Sequence, residues 1–160
     1  QRYKQLNANN NPPSALIKNV ICNTAKDLGN AGPDYKFGFG RIDGLLAVRT
    51  LEENRYVVNN VAPLGNREFT INAPAGTSRL KVMITWNDPA AASNSAIALV
   101  NNLDLMVFKG TDTTRPWILD KDNPSNTATR GKDNINNIEQ VTIDNPSGTY
   151  TVRVEAIDIP

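Results

Sequence analysis

Histidine is absent from the 160 residues of this sequence, and cysteine occurs once, as Cys22. Without an imidazole the chain cannot assemble a Ser-His-Asp or Cys-His nucleophilic centre, and the histidine-rich zinc sites of hydrolases are excluded too. A single cysteine forms no intrachain disulfide, and its neighbours Val20 and Ile21 predict a small buried group. The chain alone is therefore predicted not to be an enzyme.

Long apolar runs and charge of one sign are also missing. No stretch approaches the roughly 18–20 apolar residues of a bilayer span, so no membrane span is predicted. The sequence has seventeen Lys and Arg residues and sixteen Asp and Glu residues, so its net charge is close to zero. It contains no basic block that could follow a phosphate backbone. Nucleic acid is therefore not an expected partner. A hydrophobic content of 39% with 21% charged residues is typical of a folded globular chain.

The first fifty residues have helical periodicity. Pro12 and Pro13 precede apolar residues at helical spacing, which predicts a helix that continues to Leu28 and ends at Gly29. Glycine and proline in residues 32–40 predict a turn with a short extended stretch. A second helix is predicted over about residues 42–51. The start of the chain has neither an initiator Met nor a signal peptide's apolar segment, which predicts a piece of something longer.

After about residue 55 the hydrophobic period changes from helical to alternating. Leu80, Val82, Ile84 and Trp86 share one face of a predicted strand. Seven or so short strands separated by Pro- and Gly-containing turns predict an antiparallel β-sandwich, so the chain is expected to be mainly β. The predicted strands cover residues 56–61, 68–71, 79–86, 97–100, 103–108, 138–143 and 150–156.

Residues 13–48 carry an ordered set of motifs. These are Pro13, Lys18, Thr24-Ala25, Asp27, Gly32-Pro33-Asp34-Tyr35, Gly38, Gly40 and Ile42-Asp43. In this order and spacing they resemble the end of the catalytic domain of subtilisin-like serine proteases, the subtilases. The resemblance implies that residues 1–53 are the C-terminal remnant of that α/β domain, with residues 1–6 the tail of the helix that begins at the nucleophile. No catalytic residue of the family maps onto this chain, because all of them would lie upstream of Gln1.

The β part is similar to the jelly-roll domain that follows the catalytic domain in a subgroup of secreted subtilases. The similarity rests on residues 80–88, 99–105 and 133–139 and implies a second domain over residues 54–160. Family members continue into one more strand, so this sandwich is expected to lack its last strand. The implied function is that of a non-catalytic C-terminal fragment of a secreted endopeptidase, whose sandwich stabilises the protease domain or orients its polypeptide substrate.

The resemblance also predicts what residues 1–50 contact. In a complete protease these helices would pack on a parallel sheet that is not in this chain. An upstream catalytic domain or a second chain is therefore the expected partner of this segment, which would otherwise be mobile. The apolar residues expected to lack cover are Leu16, Ile17, Val20, Ile21, Leu45 and Leu46.

Acidic and amide residues at strand ends are the remaining candidates for chemistry. Hard cations take six to eight oxygen ligands, which Asp- and Asn-rich loops can supply. If neighbouring strands bring their ends together, the carboxylates need either a cation or Lys and Arg partners. Calcium is the predicted ion, and the alternative is that these residues only form turns. The candidate ligands are Asp88, Asp104, Asp133, Asn136 and Glu139.

A self-standing sandwich that binds carbohydrate or a cell-surface partner is the alternative function. A carbohydrate platform needs exposed aromatic rings. Only ten Phe, Trp and Tyr residues occur, and most fall on alternating core faces. The composition therefore favours the protease fragment, which the resemblance predicts to be secreted.

Overall fold

The computed structural model describes residues 1–160 as a mainly β chain with three short helices before its eight strands. No helix has the length and apolar character needed to cross a membrane. The helices are α1 (Arg2–Leu6), α2 (Ser14–Thr24) and α3 (Gly44–Glu52). The strands are β1 (Asn66–Ala73), β2 (Arg79–Thr85), β3 (Asn102–Lys109), β4 (Asp112–Thr114), β5 (Trp117–Ile118), β6 (Thr129–Arg130), β7 (Ile138–Asp144) and β8 (Gly148–Asp158).

The strands form antiparallel sheets around one core. A four-stranded sheet has the order β1-β8-β3-β4, β2 pairs with β7, and β5 pairs with β6. Side chains of alternate residues from the first two sheets meet in the core, which confirms the predicted mainly β, antiparallel sandwich. The buried core residues are Ala73, Val82, Leu105, Val107, Val141, Tyr150 and Val152.

Two predicted strands are wrong. Residues 56–61 form no strand, and both backbone groups of Asn60 bond to side chains: its N–H donates to Asn59 Oδ1 at 2.8 Å and its carbonyl accepts from Arg67 Nε at 3.1 Å. Residues 97–100 form none either, because the backbone N–H of Val100 donates to the Asp88 carboxylate at 2.7 Å. A side-chain acceptor therefore takes the place of a strand ladder in both segments.

The first predicted helix is shorter than expected. α2 ends at Thr24 rather than Leu28, since Ala25 is extended with φ −57° and ψ 142°. Lys26 then pairs with Arg41 through two backbone hydrogen bonds of 2.8 and 2.9 Å. The second predicted helix is confirmed as α3, and the Asp43 side chain caps it by accepting from Leu46 N at 2.9 Å.

The N-terminal helices are only partly uncovered. Leu16 and Val20 are each 6% exposed, so the prediction that they lack cover is wrong: α2 packs them toward β2. The other four residues of that set are exposed as predicted, with Ile17 at 46%, Ile21 at 38%, Leu45 at 64% and Leu46 at 37%. The segment thus has one face on the sandwich and another open to solvent. The division at residues 53 and 54 stays a prediction.

Candidate cation site and helix-docking surface

Asp104 in β3 and Glu139 in β7 are buried carboxylates where the two main sheets meet. Asp104 is 2% exposed and Glu139 1%. Glu139 Oε2 accepts a hydrogen bond from Leu105 N at 2.6 Å. Because β4 pairs with β3 only from Val107 onward, the Glu139 carboxyl satisfies a β3 N–H beyond the end of β4. The side chain therefore takes the place of a missing strand and links the sheets.

The surroundings of Glu139 favour its protonated form. Burial raises the pKa of Glu139 to about 8, against the lowering effect of the hydrogen bond from Leu105. The nearby charges of Asp104 and Asp133 raise the pKa further, while Arg115 lowers it. Without a bound cation, Glu139 is therefore mostly protonated at neutral pH.

Asp104 has cationic partners on one side only. Its Oδ2 lies 3.1 Å from Lys132 Nζ and 3.5 Å from Arg115 Nη1. Its Oδ1 is buried with no hydrogen-bond partner, and so are Glu139 Oε1 and Asn102 Oδ1. Asp104 Oδ1 and Asn102 Oδ1 are therefore acceptors without a donor, while Glu139 Oε1 carries the proton when that carboxyl is neutral. Buried polar atoms without partners carry a free-energy cost.

The carboxylates of the other predicted ligands, Asp133 and Asp88, already accept hydrogen bonds from N–H groups of the protein. Asp133 accepts from Ile135 N, Asn136 N and Asn136 Nδ2 at 2.8–3.0 Å, which is a turn closed by its own carboxylate. Asp88 accepts from Val100 N and from the following residue's N–H. No three acidic, cysteine or histidine side chains are placed together to hold a metal ion. That all five predicted ligands share one calcium ion stays a prediction.

Sequence reasoning missed a second surface, where α2 lies along β2. Asn19 Nδ2 donates to Met83 O at 2.9 Å, and Asn23 Nδ2 donates to Lys81 O at 3.3 Å. Residues four apart on a helix rise about 6 Å, close to the spacing of residues two apart on a strand. Since β2 pairs only with β7, these amides bond to carbonyls that no other strand reaches.

Further polar contacts hold the helical segment on the sandwich. Lys81 Nζ donates to Ala25 O at 2.6 Å, and Lys18 Nζ donates to Asn137 Oδ1 at 2.6 Å. Burial lowers the pKa of Lys81, while the charge of Asp27 raises it. Lysine spacing in the sequence gives no sign of these pairs, because each joins residues more than fifty positions apart.

A tryptophan of the sandwich fixes the Gly-Pro-Asp turn. Trp117 packs so closely on Gly32 that a Cβ built there would lie 2.8 Å from its ring. Gly32 also has a φ of +82°, which glycine adopts most readily. The indole is itself held, since its Nε1 donates to Thr142 Oγ1 at 3.0 Å and the Arg130 guanidinium lies 3.5 Å from the ring centroid. Burial lowers the pKa of Arg130 to about 10.

Residues 66–156, from β1 through most of β8, match the family described as bacterial pre-peptidase C-terminal domain. The chain belongs to this family. Pre-peptidase C-terminal (PPC) domains are found at the C-terminus of secreted bacterial proteases and are not catalytic. No curated protein has a significant match to the chain. Asp104, Glu139 and Trp117 lie inside the PPC match, while α2 and Gly32 precede it. The docking surface thus joins the PPC domain to a segment outside it.

Proposed function

We propose that this chain is the C-terminal portion of a secreted subtilisin-like serine endopeptidase, and that its PPC domain stabilises the catalytic domain. Residues 1–53 are the last segment of that catalytic domain in this proposal. The observation that carries it is the docking of α2 on β2 through Asn19 and Asn23. Those two bonds fix a catalytic-domain helix on the PPC domain.

The position of the contacts favours a stabilising role. α2 is held by Lys18 and Lys81, and the turn that follows is held by Trp117 against Gly32. Both belong to the segment that resembles the subtilase catalytic domain. A catalytic domain whose helix α2 and following turn are bound in this way unfolds only with the loss of those contacts, so docking lowers the free energy of its folded state.

The face of the helical segment that points away from the sandwich supports the same proposal. Several large apolar side chains are exposed there, on α2, on α3 and just before α3. An exposed apolar surface of this kind is typical of a site that another structural element or chain covers. The parallel sheet of the upstream catalytic domain is the occupant that the resemblance implies. The exposed residues are Ile17, Ile21, Ile42, Leu45, Leu46 and Val48.

A self-standing carbohydrate-binding module is less well supported. Both tryptophans of the sandwich use their indole N–H groups internally, Trp86 toward Asn101 O and Trp117 toward Thr142. The exposed Tyr35 and Phe37 lie on the helical segment, before the PPC match. No exposed aromatic platform therefore lies on the PPC domain.

We also propose that calcium binds near Asp104 and Glu139. This proposal is supported by three buried oxygens that have no hydrogen-bond partner, because oxygens are the ligands that calcium prefers. They are Asp104 Oδ1, Glu139 Oε1 and Asn102 Oδ1. Bound calcium would supply positive charge near the two carboxylates. Without it, the negative charge of Asp104 is offset by Lys132 and Arg115, and that of Glu139 by a bound proton. In this proposal Asp88, Asp133 and Asn136 shape the adjoining loops or complete the ligand set.

The experiment that tests the protease proposal extends the chain upstream in its encoding gene. We expect the extension to contain the Asp, His and Gly-Thr-Ser motifs of subtilases, and the longer polypeptide to hydrolyse a generic peptide that the 160-residue chain leaves intact. Deleting residues 54–160 from the longer polypeptide should shorten the half-life of its activity on heating. An upstream sequence without these motifs, or an unchanged half-life, would contradict the proposal.

A further inference from the structure

The loop between β2 and β3 is fixed at its base and free in its middle. At the base, the Asp88 carboxylate accepts from Val100 N at 2.7 Å and from Asn101 N at 2.8 Å, and Trp86 Nε1 donates to Asn101 O at 2.9 Å. Residues 92–98 are all exposed. Within residues 89–99 the only backbone hydrogen bond runs from Ser95 N to Ala92 O.

Other irregular segments are more firmly tethered. In residues 54–65, Tyr56 lies against Tyr3 with ring centroids 6.3 Å apart, and the carbonyl of Asn60 accepts from Arg67 Nε. In residues 119–128, the Asp120 carboxylate accepts four hydrogen bonds from its own loop. The backbone of the loop over residues 89–99 therefore adopts another conformation more easily than that of either of these two segments.

We propose that residues 89–99 are a proteolytic processing site, cut by an endopeptidase that accepts small side chains, and that the cut protein remains assembled. An endopeptidase must bind its substrate as an extended chain with free backbone groups, and this loop can offer them without breaking a strand. Alanines at 90, 91, 92, 96 and 98 suit a shallow specificity pocket such as that of elastase.

The reaction is hydrolysis of one peptide bond. Water adds to the carbonyl carbon, and the C–N bond breaks. The acyl side leaves as a carboxylate, and the released nitrogen becomes an ammonium terminus after taking up the protons. For a cut within residues 92–98 both new charges lie on exposed residues, so neither has to be buried.

After the cut, strand pairing and hydrogen bonds still hold the two fragments together. The N-terminal fragment keeps β1 and β2, whose partners β8 and β7 belong to the C-terminal fragment over eight and seven residue pairs. Asp88 lies on one side of the cut, while Val100 and Asn101 lie on the other. This inference does not depend on the proposed protease function, because the cutting enzyme is a separate molecule in the test.

The test is limited proteolysis of the 160-residue chain with pancreatic elastase and, separately, with subtilisin. We expect the first cut between residues 90 and 98 by mass spectrometry. The two fragments should co-elute at the size of the intact chain in native buffer and separate in denaturant. A first cut in residues 54–65 or 119–128, or fragments that separate in native buffer, would overturn the proposal.

Proline and Asp88 variants test whether the conformation of residues 89–99 controls the rate and place of the first cut. The double variant A92P/A96P should slow the first cut at least about tenfold, because proline fixes φ and removes the N–H that the protease binds. The matched control A62P, in residues 54–65, should leave the rate unchanged. Asp88→Asn weakens the base of the loop and should spread the cuts to residues 99–101. An A92P/A96P chain that is cut as fast as the A62P chain would also overturn the proposal.

Discussion

Glu139 accepts a hydrogen bond from the backbone N–H of Leu105 at 2.6 Å, and this bond links β7 of one sheet to β3 of the other. Both residues are almost fully buried, with Leu105 0% and Glu139 1% exposed. A carboxyl group thereby takes the position of a strand partner in the buried space between the sheets. Its protonation state consequently bears on the stability of the whole sandwich.

The pH dependence of stability follows from this burial. The pKa of Glu139 rises from 4.5 to about 8 on folding, so between these values the folded state binds more protons than the unfolded state. The contribution of Glu139 to stability is therefore complete below pH 4.5 and is lost as the pH rises toward 8. In chelator, urea unfolding between pH 5 and 8 should show a loss from this group of up to about 1.4 kcal/mol per pH unit.

Glu139→Gln should remove that part of the pH slope, because the amide oxygen still accepts from Leu105 N but does not titrate. The exposed Glu53→Gln serves as the control and should keep the wild-type slope. A Glu139→Gln protein with the wild-type slope would place the titration elsewhere.

Calcium removal gives a second prediction. Adding calcium to chelated protein should raise the melting temperature. The free energy of unfolding should increase with the logarithm of the calcium concentration over the dissociation constant, by about 2.7 kcal/mol at a hundredfold excess over that constant. Asp104→Asn should abolish the response, and the exposed Asp112→Asn in β4 should retain it. If neither calcium nor chelator changes the melting temperature, no calcium binds here, and Lys132 and Arg115 are the only partners of Asp104.

A comparison of alanine variants at Gly32 and Gly38 distinguishes the effect of steric contact from that of backbone strain. Gly32 and Gly38 both have positive φ, +82° and +58°, but only a Cβ at Gly32 meets Trp117, while one at Gly38 has open space. Gly32→Ala should therefore destabilise the chain by about 1–3 kcal/mol more than Gly38→Ala in denaturant unfolding. Combining Gly32→Ala with Trp117→Ala should recover part of the difference. Equal effects for the two glycine variants would mean that Trp117 does not hold this turn.

The edge contacts of β2 give a fourth prediction. Asn19→Ala leaves the Met83 carbonyl without its amide donor and should cost about 0.5–1.5 kcal/mol in urea unfolding. Asn23→Ala removes two bonds, to Lys81 O and from Gln140 Nε2, and should cost at least as much. Asn10→Ala, an exposed asparagine outside this surface, is the control and should stay within about 0.5 kcal/mol of wild type.

The sequence could predict the strands whose alternating residues enter the core. Leu80, Val82 and Ile84 lie on the inner face of β2 as their spacing indicates, because burial of one face sets the period. Ile97 to Val100 has similar residues but forms no strand, since the distant Asp88 carboxylate accepts from Val100 N. An acceptor remote in sequence leaves no local pattern.

The candidate sites could be predicted only in part. Asp104 and Glu139 stand out as polar residues inside strands, and the structure brings both into the core between the sheets. Their different partners depend on how the two sheets pack and on the course of the segment before β7, which bring Leu105 to Glu139 and Lys132 to Asp104. The Asn19 and Asn23 contacts require the position of α2 against β2, which no spacing within the helix reveals.

Amide hydrogen exchange of the 160-residue chain tests most directly whether α2 is fixed to the PPC domain, as the proposed function requires. We expect the amides of residues 18–24 to exchange with the same opening free energy as those of β2 and β7, so that helix and sandwich open together. Exchange of the α2 amides about a hundredfold faster than those of β2 and β7 would contradict it, since the helix would then open without the sandwich.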